Sequence, residues 1–208
     1  MIGAARAYVH RMLLHKYWYL VAACTLFTAI GSAQGVDSSG WQSKLRFHAE
    51  SAYGPEAVVG SALYAGLMQE IDFPREWGQG TAGYAKRLGS TLAYVGLRNA
   101  LAFGLDTTLH QNPRYDRSTG TGARQRLKHA FRRTILTRTD AGGETLATWR
   151  LGSAYGAAFL SNEWYPDRLN TVKLGLAQGS TQIGFDLLAN VGAEFWPDFK
   201  RNVLRRRP

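Results

Sequence analysis

Two sets of polar residues sit at helical spacing inside otherwise apolar stretches. Asp106 and His110 are four apart, and Asp186, Asn190 and Glu194 are spaced four and four. Residues four apart share one face of a helix. Carboxylates and an imidazole on such faces are the raw material of acid–base chemistry or of metal binding. Asp106, His110 and Glu194 are therefore the candidate catalytic trio. Burying an unpaired carboxylate is costly. The same spacing thus serves an internal network in which Arg87 and Arg98 pair with Asp106, His110, Asp186, Asn190 and Glu194, and this is the reading adopted. Arg114 and Arg150 are further available partners.

Other chemistries leave little trace. There is no HExxH, no pair of ExxH segments and no GxSxG. Gly78-Gln79-Gly80-Thr81-Ala82-Gly83 imitates a dinucleotide fingerprint, but the preceding Asp72-Phe73-Pro74-Arg75-Glu76-Trp77 is no strand. No metal ligand set and no cofactor site is predicted.

The elements that must carry these residues are read from period and punctuation. Five hydrophobic stretches run over 43–69, 83–111, 123–138, 145–164 and 170–195, separated by turn signals such as Asn112-Pro113 and Gly142-Gly143. Gly54-Pro55 interrupts the first, and Pro197 breaks the chain after the fifth. In the second, Leu88, Leu92, Val95, Asn99, Ala102, Asp106 and Leu109 fall on one stripe of a helix about 40 Å long. The third is basic, with Leu127, Ala130, Phe131 and Ile135 as a narrow apolar seam. Gly152 with Gly156 and Gly175 with Gly179 form small-xxx-small ridges, which allow close helix packing. Ser61 with Ala65 and Ala62 with Gly66 repeat that spacing. The predicted fold is mainly α, a Gly-rich helical bundle associated with a membrane. Alternation at Val172, Leu174 and Leu176, and from Ile183 to Val191, keeps an outer-membrane β-barrel as the alternative.

The first 33 residues hold Arg6, Arg11 and Lys16, then the uncharged run Tyr17–Ile30, then Gly31-Ser32-Ala33. This is the grammar of a secretory signal peptide cleaved after Ala33. A start at Met12 gives the same grammar. Val21-Ala22-Ala23-Cys24 offers a lipoprotein box as one alternative, and an uncleaved inner-membrane anchor is the other. Cleavage removes three of the cations, so the formal charge falls from +10 to +7, and it removes the only cysteine. Residues 34–42 read as a linker, 43–199 as a single helical domain and 200–208 as a basic tail.

The 23 glycines thus lie largely inside apolar segments. Trp77, Tyr84, Trp149, Trp164, Tyr165 and Trp196 lie near segment ends, where amphipathic rings suit a headgroup region. The expected function is an exported envelope protein of the periplasm or outer membrane, with a structural or interaction role. An envelope hydrolase or metal-assisted enzyme and a lipid-handling barrel are the alternatives. Expected partners are membrane lipids or envelope proteins, an anionic glycolipid among them, and a second copy of the chain; nucleic acid is not among them.

Four stretches have distinctive wording: Glu76-Trp77-Gly78-Gln79-Gly80 with Gly83-Tyr84-Ala85-Lys86-Arg87, then Leu109-His110-Gln111-Asn112-Pro113-Arg114-Tyr115, then Trp164-Tyr165-Pro166, then Glu194-Phe195-Trp196-Pro197-Asp198-Phe199-Lys200. With its EWGQG, LHxNPRY and EFWPDxK motifs, the chain resembles an uncharacterised family of exported bacterial proteins of acidobacterial type. The resemblance spans most of the chain after the leader. It implies export and a single domain, and it brings no catalytic residue.

Overall fold

Gly54-Pro55 divides the first stretch into two helices, α1 (Trp41–Tyr53) and α2 (Pro55–Glu70). The Gly54 amide donates to the Glu50 carbonyl at 2.8 Å and closes α1, while Pro55 opens α2 at its first position, where no amide is missed. A computed structural model describes residues 40–204, so the predicted signal peptide, Cys24 and the end of the tail lie outside the described residues.

Helix α3 (Gly80–Thr108) is the central rod. A basic helix, α4 (Ala123–Ile135), follows a long loop. A small hairpin comes next, β1 (Leu136–Arg138) antiparallel to β2 (Glu144–Leu146), with Leu136 opposite Leu146. Then come α5 (Thr148–Ser161) and α6 (Val172–Leu204). Helices α1, α2 and α5 pack on α3, α6 packs on α5, and α4 packs on α6.

The order of contacts along the rods fixes their direction. Lys44 and His48 of α1 reach Asp106 near the end of α3, while Tyr84 near its start donates to the α2 carbonyl of Ala62 at 3.1 Å. So α1 and α2 together run antiparallel to α3. A Cβ at Gly152 would lie 2.8 Å from Leu105, and one at Gly156 3.2 Å from Leu101, so α5 also runs antiparallel to α3. Gly175 and Gly179 of α6 lie against the rings of Phe159 and Tyr155 of α5. Among the described residues the β-barrel alternative is thereby overturned. The alternating residues 172–191 lie in α6, and their period of two reflects composition rather than a pleat.

Two predicted boundaries also shift, and one helix face is turned. Helix α1 begins at Trp41, inside the predicted 34–42 linker. The expected break at Pro197 does not occur: α6 continues through it to Leu204, so the start of the predicted 200–208 tail is helical. The α4 seam is turned outward. Of its apolar residues only Ala130 is buried, together with Arg133 and Thr134, while Leu127, Phe131 and Ile135 are exposed.

That outward turn is general. The buried apolar residues are chiefly alanines, with Trp149 and Leu169 as the large exceptions. The largest fully buried side chains are Arg87, Lys44, Glu194 and Asp106. Trp41, Tyr53, Val59, Leu63, Leu127, Phe131, Val172, Leu176 and Phe199 are exposed. Charged side chains of these types are almost never fully buried unless paired, and here each one is paired. Among the described residues, no helix is long and apolar enough to cross a membrane.

Candidate functional site

The Asp106 carboxylate is fully buried between α1 and α3. His48 donates Nε2–H to its Oδ2 at 2.7 Å, and Thr107 donates its hydroxyl to Oδ1 at 3.2 Å. The other ring nitrogen of His48 lies 3.1 Å from Asn99 Oδ1, and the Asn99 amide nitrogen donates to the Val95 carbonyl at 2.9 Å. That second bond orients the amide, so both nitrogens of His48 face acceptors. Lys44, one turn before His48, donates to the Asp106 carbonyl at 3.0 Å and to Asp140 Oδ2 at 2.7 Å. The tie therefore fastens α1 to the end of α3 and to the hairpin turn.

His110 is not part of it. Helix α3 stops at Thr108, and His110 takes the left-handed conformation (φ 50°) that follows a helix end. The Gln111 amide donates to the Asp106 carbonyl at 2.8 Å and the His110 amide to the Thr107 carbonyl at 3.4 Å. This is the paired closure of a Schellman motif. The four-residue spacing thus crosses a terminus, where helical periodicity no longer holds. The His110 side chain is 82% exposed, and the nearest carboxylate oxygen, Asp140 Oδ2, is 3.9 Å away.

Glu194 is the second fully buried carboxylate, and it lies at a different junction. Its Oε1 accepts from the Tyr115 hydroxyl at 2.6 Å, the Ser118 amide at 2.8 Å and His129 Nδ1–H at 3.0 Å. Arg126 approaches Oε2 at 3.5 Å, lies over the Phe195 ring and also pairs with Asp198. Burial, then the bond to Glu194, pushes the Tyr115 phenol well above its ordinary range, so it stays a donor. These contacts fasten α4 and the 115–118 loop to α6.

The remaining members of the α6 stripe add further ties. Asp186 accepts from Arg98 of α3 at 2.6 Å and lies 3.8 Å from Arg150 of α5. Burial lowers the pKa of Arg150, and Asp186 opposes that. Arg150 also donates to the Arg133 and Thr134 carbonyls at 2.5 and 3.1 Å. Asn190 donates to the Thr134 hydroxyl at 2.9 Å. So Asp186, Asn190 and Glu194 face inward in register, Asp186 toward α3 and α5, and Asn190 and Glu194 toward α4.

Arg87 stands apart from all of these. It faces the 71–79 segment and donates to the carbonyls of Phe73, Gly78 and Pro74 at 2.8, 2.6 and 2.8 Å, and to Gln69 Oε1 at 2.6 Å. Gly78 must be glycine here: its φ of 71° with ψ −172° suits little else. A Cβ at Gly83 would strike the Gly78 carbonyl. The wording around EWGQG and GYAKR is thereby a clamp between a loop and the helix that follows it. Glu76 joins exposed Arg168 at 2.7 Å, and Trp77 meets Tyr165.

The structure therefore places Asp106, His110 and Glu194 in three settings and does not bring them together. It pairs Asp186 with Arg98, sets Arg87 on the loop, and supplies Asp106 and Glu194 with partners that spacing did not indicate: His48 and Lys44 for one, His129, Tyr115 and Arg126 for the other. Lys44, His48 and Ala52 do form a four-residue stripe in the sequence, and that was the available signal. It is hard to weigh because its members are polar while Trp41 and Leu45 beside them are apolar. Among the described residues, no three His, Cys, Asp or Glu side chains form a group able to hold a metal ion. No family model, curated protein or solved structure matches the chain.

Proposed function

We propose that this chain is an exported, membrane-associated envelope protein whose role is structural or interactive. One observation carries the reading: the largest fully buried side chains are charged and paired, while large apolar side chains line the exterior. In water an extended apolar exterior marks an interaction surface or a membrane contact. Helix α2 illustrates it. Its buried residues are Ser61 and Ala65, its outward ones include Val58, Val59 and Leu63, and no charge occurs between Glu56 and Glu70. Small residues toward the neighbouring helix and large ones outward is how helices pack where the surroundings are apolar. The two buried carboxylates act as fasteners: every oxygen of Asp106 and Glu194 accepts from a neighbouring group of the chain, and both side chains are shut off from solvent. The family resemblance and the leader agree with export.

The test is flotation of the purified full chain with lipid vesicles, alongside its elution in buffer without detergent. The reading expects co-flotation. A chain that elutes as a soluble monomer and stays at the bottom of the gradient contradicts it.

A further inference from the structure

Helix α4 carries two parallel outward rows. Leu127, Phe131 and Ile135 recur every four residues, and Phe131 is 61% exposed. Arg124, Lys128 and Arg132 recur every four residues beside them and are also exposed. Each row winds gently along one side of the helix, with the basic row next to the apolar one. The opposite side holds α4 in place through Ala130, Arg133, Thr134 and the Glu194 tie. Pairing of β1 with β2 puts exposed Leu146 opposite Leu136, the residue after Ile135.

The charges on this helix are one-signed: α4 has five cations and no acid. Arg126 and Arg133 are used internally, by Glu194 and Asp198 and by Asp116 and Glu144. Arg132 shares Glu144. Arg124 and Lys128 have no acidic partner among the described residues, and long basic side chains with apolar stems suit the phosphate level above a buried apolar row.

Resting on the membrane association proposed above, we infer that α4 lies in the plane of a bilayer bearing anionic phosphate headgroups. Leu127, Phe131 and Ile135 enter the acyl boundary, while Arg124 and Lys128 contact phosphates. Short amphipathic helices with this division of faces bind such interfaces through apolar area and charge together. Charge complementarity favours this occupant over a second copy, whose α4 face would be equally positive. An anion-binding surface for soluble polyanions would have no use for the apolar row.

The experiment is flotation of the full chain with phosphatidylcholine vesicles, with and without phosphatidylglycerol. The wild type should bind the anionic vesicles more strongly. Arg124→Gln with Lys128→Gln should lose most of that preference, about thirtyfold at roughly a factor of five per cation. Phe131→Ser should weaken binding to both vesicle types, and Leu127→Ser should repeat it. All four positions are exposed, so the fold should survive, and an unchanged unfolding transition verifies this. If the charge variants bind like wild type, or if Phe131→Ser and Leu127→Ser leave binding to anionic vesicles intact, α4 is not the docking face, while membrane association through another surface stands. If the wild type floats with neither vesicle, both readings fail together.

Discussion

The seam where α5 lies between α3 and α6 is closed by large side chains set against glycines, and the junction where α4 lies on α6 is closed by a buried carboxylate. At the seam, Gly152, Gly156, Gly175 and Gly179 remove side chains so that Leu105, Leu101, Phe159 and Tyr155 fit against bare backbone. At the junction, Glu194 gathers Tyr115, Ser118 and His129 onto one oxygen and Arg126 onto the other. The two depend on different physics. Close packing tolerates adjustment as far as a neighbouring side chain can give way, by a few tenths of an ångström for a methyl at Gly156 and by more at Gly152, Gly175 and Gly179, where an added Cβ would lie under 3 Å from Leu105, Phe159 and Tyr155. A buried carboxylate tolerates none, because deleting it strands every donor it satisfied.

The comparison breaks most visibly at the junction. Glu194→Ala should destabilise the protein by about 3 kcal/mol, the lower end for breaking a buried ion pair because Arg126 and His129 keep some access to water. Urea unfolding measures it. A loss under about 1 kcal/mol would mean the junction packs like the seam. Within the seam, position decides the sign. Gly179→Leu would drive a side chain into the Tyr155 ring and should cost about 1–3 kcal/mol. Gly156→Ala faces only the methyl end of Leu101 at 3.2 Å, so the gain in helix propensity should prevail, a stabilisation of up to about 1 kcal/mol. Both show as shifts of the thermal midpoint, in opposite directions.

His110 sharpens the comparison from outside both regions. As the left-handed residue closing α3, His110→Gly should be neutral or stabilising by up to about 1 kcal/mol. A loss of stability would show that the imidazole has a structural partner after all. The smallest effect belongs to the exposed Glu76–Arg168 pair. Arg168 holds the Glu76 carboxyl below the usual carboxylate range, so its contribution is present above that range and is lost as pH falls through the lowered value. Arg168→Gln should move the Glu76 titration, followed by NMR, back toward the ordinary range. An unmoved titration would detach Glu76 from the pair.

Much of the architecture was legible in the sequence. The helical class, the long second helix, the break at Gly54-Pro55 and the tightly packed glycine pairs all follow from period and punctuation. The inward stripe at Asp186, Asn190 and Glu194 was legible because α6 is unbroken through those positions. The Asp106–His110 pair was not, since period alone cannot tell that α3 ends at Thr108 between them. The partners of the buried carboxylates were hidden for another reason. His48 is 58 residues from Asp106 and Tyr115 is 79 from Glu194, separations that local spacing does not reach. The outward orientation of Leu127, Phe131 and Ile135 was also hidden, because an apolar seam ordinarily faces the core. Here alanines and paired charges occupy that place.

The inverted distribution is the central claim, and one comparison of unfolding free energies tests it. Asp106→Ala removes a fully buried carboxylate bonded to His48, whereas Leu63→Ser changes a half-exposed apolar residue on α2. The account predicts a loss of about 3–5 kcal/mol for Asp106→Ala and within about 0.5 kcal/mol for Leu63→Ser. The reverse order, with Leu63→Ser the more damaging, would place the true core where the structure places the exterior.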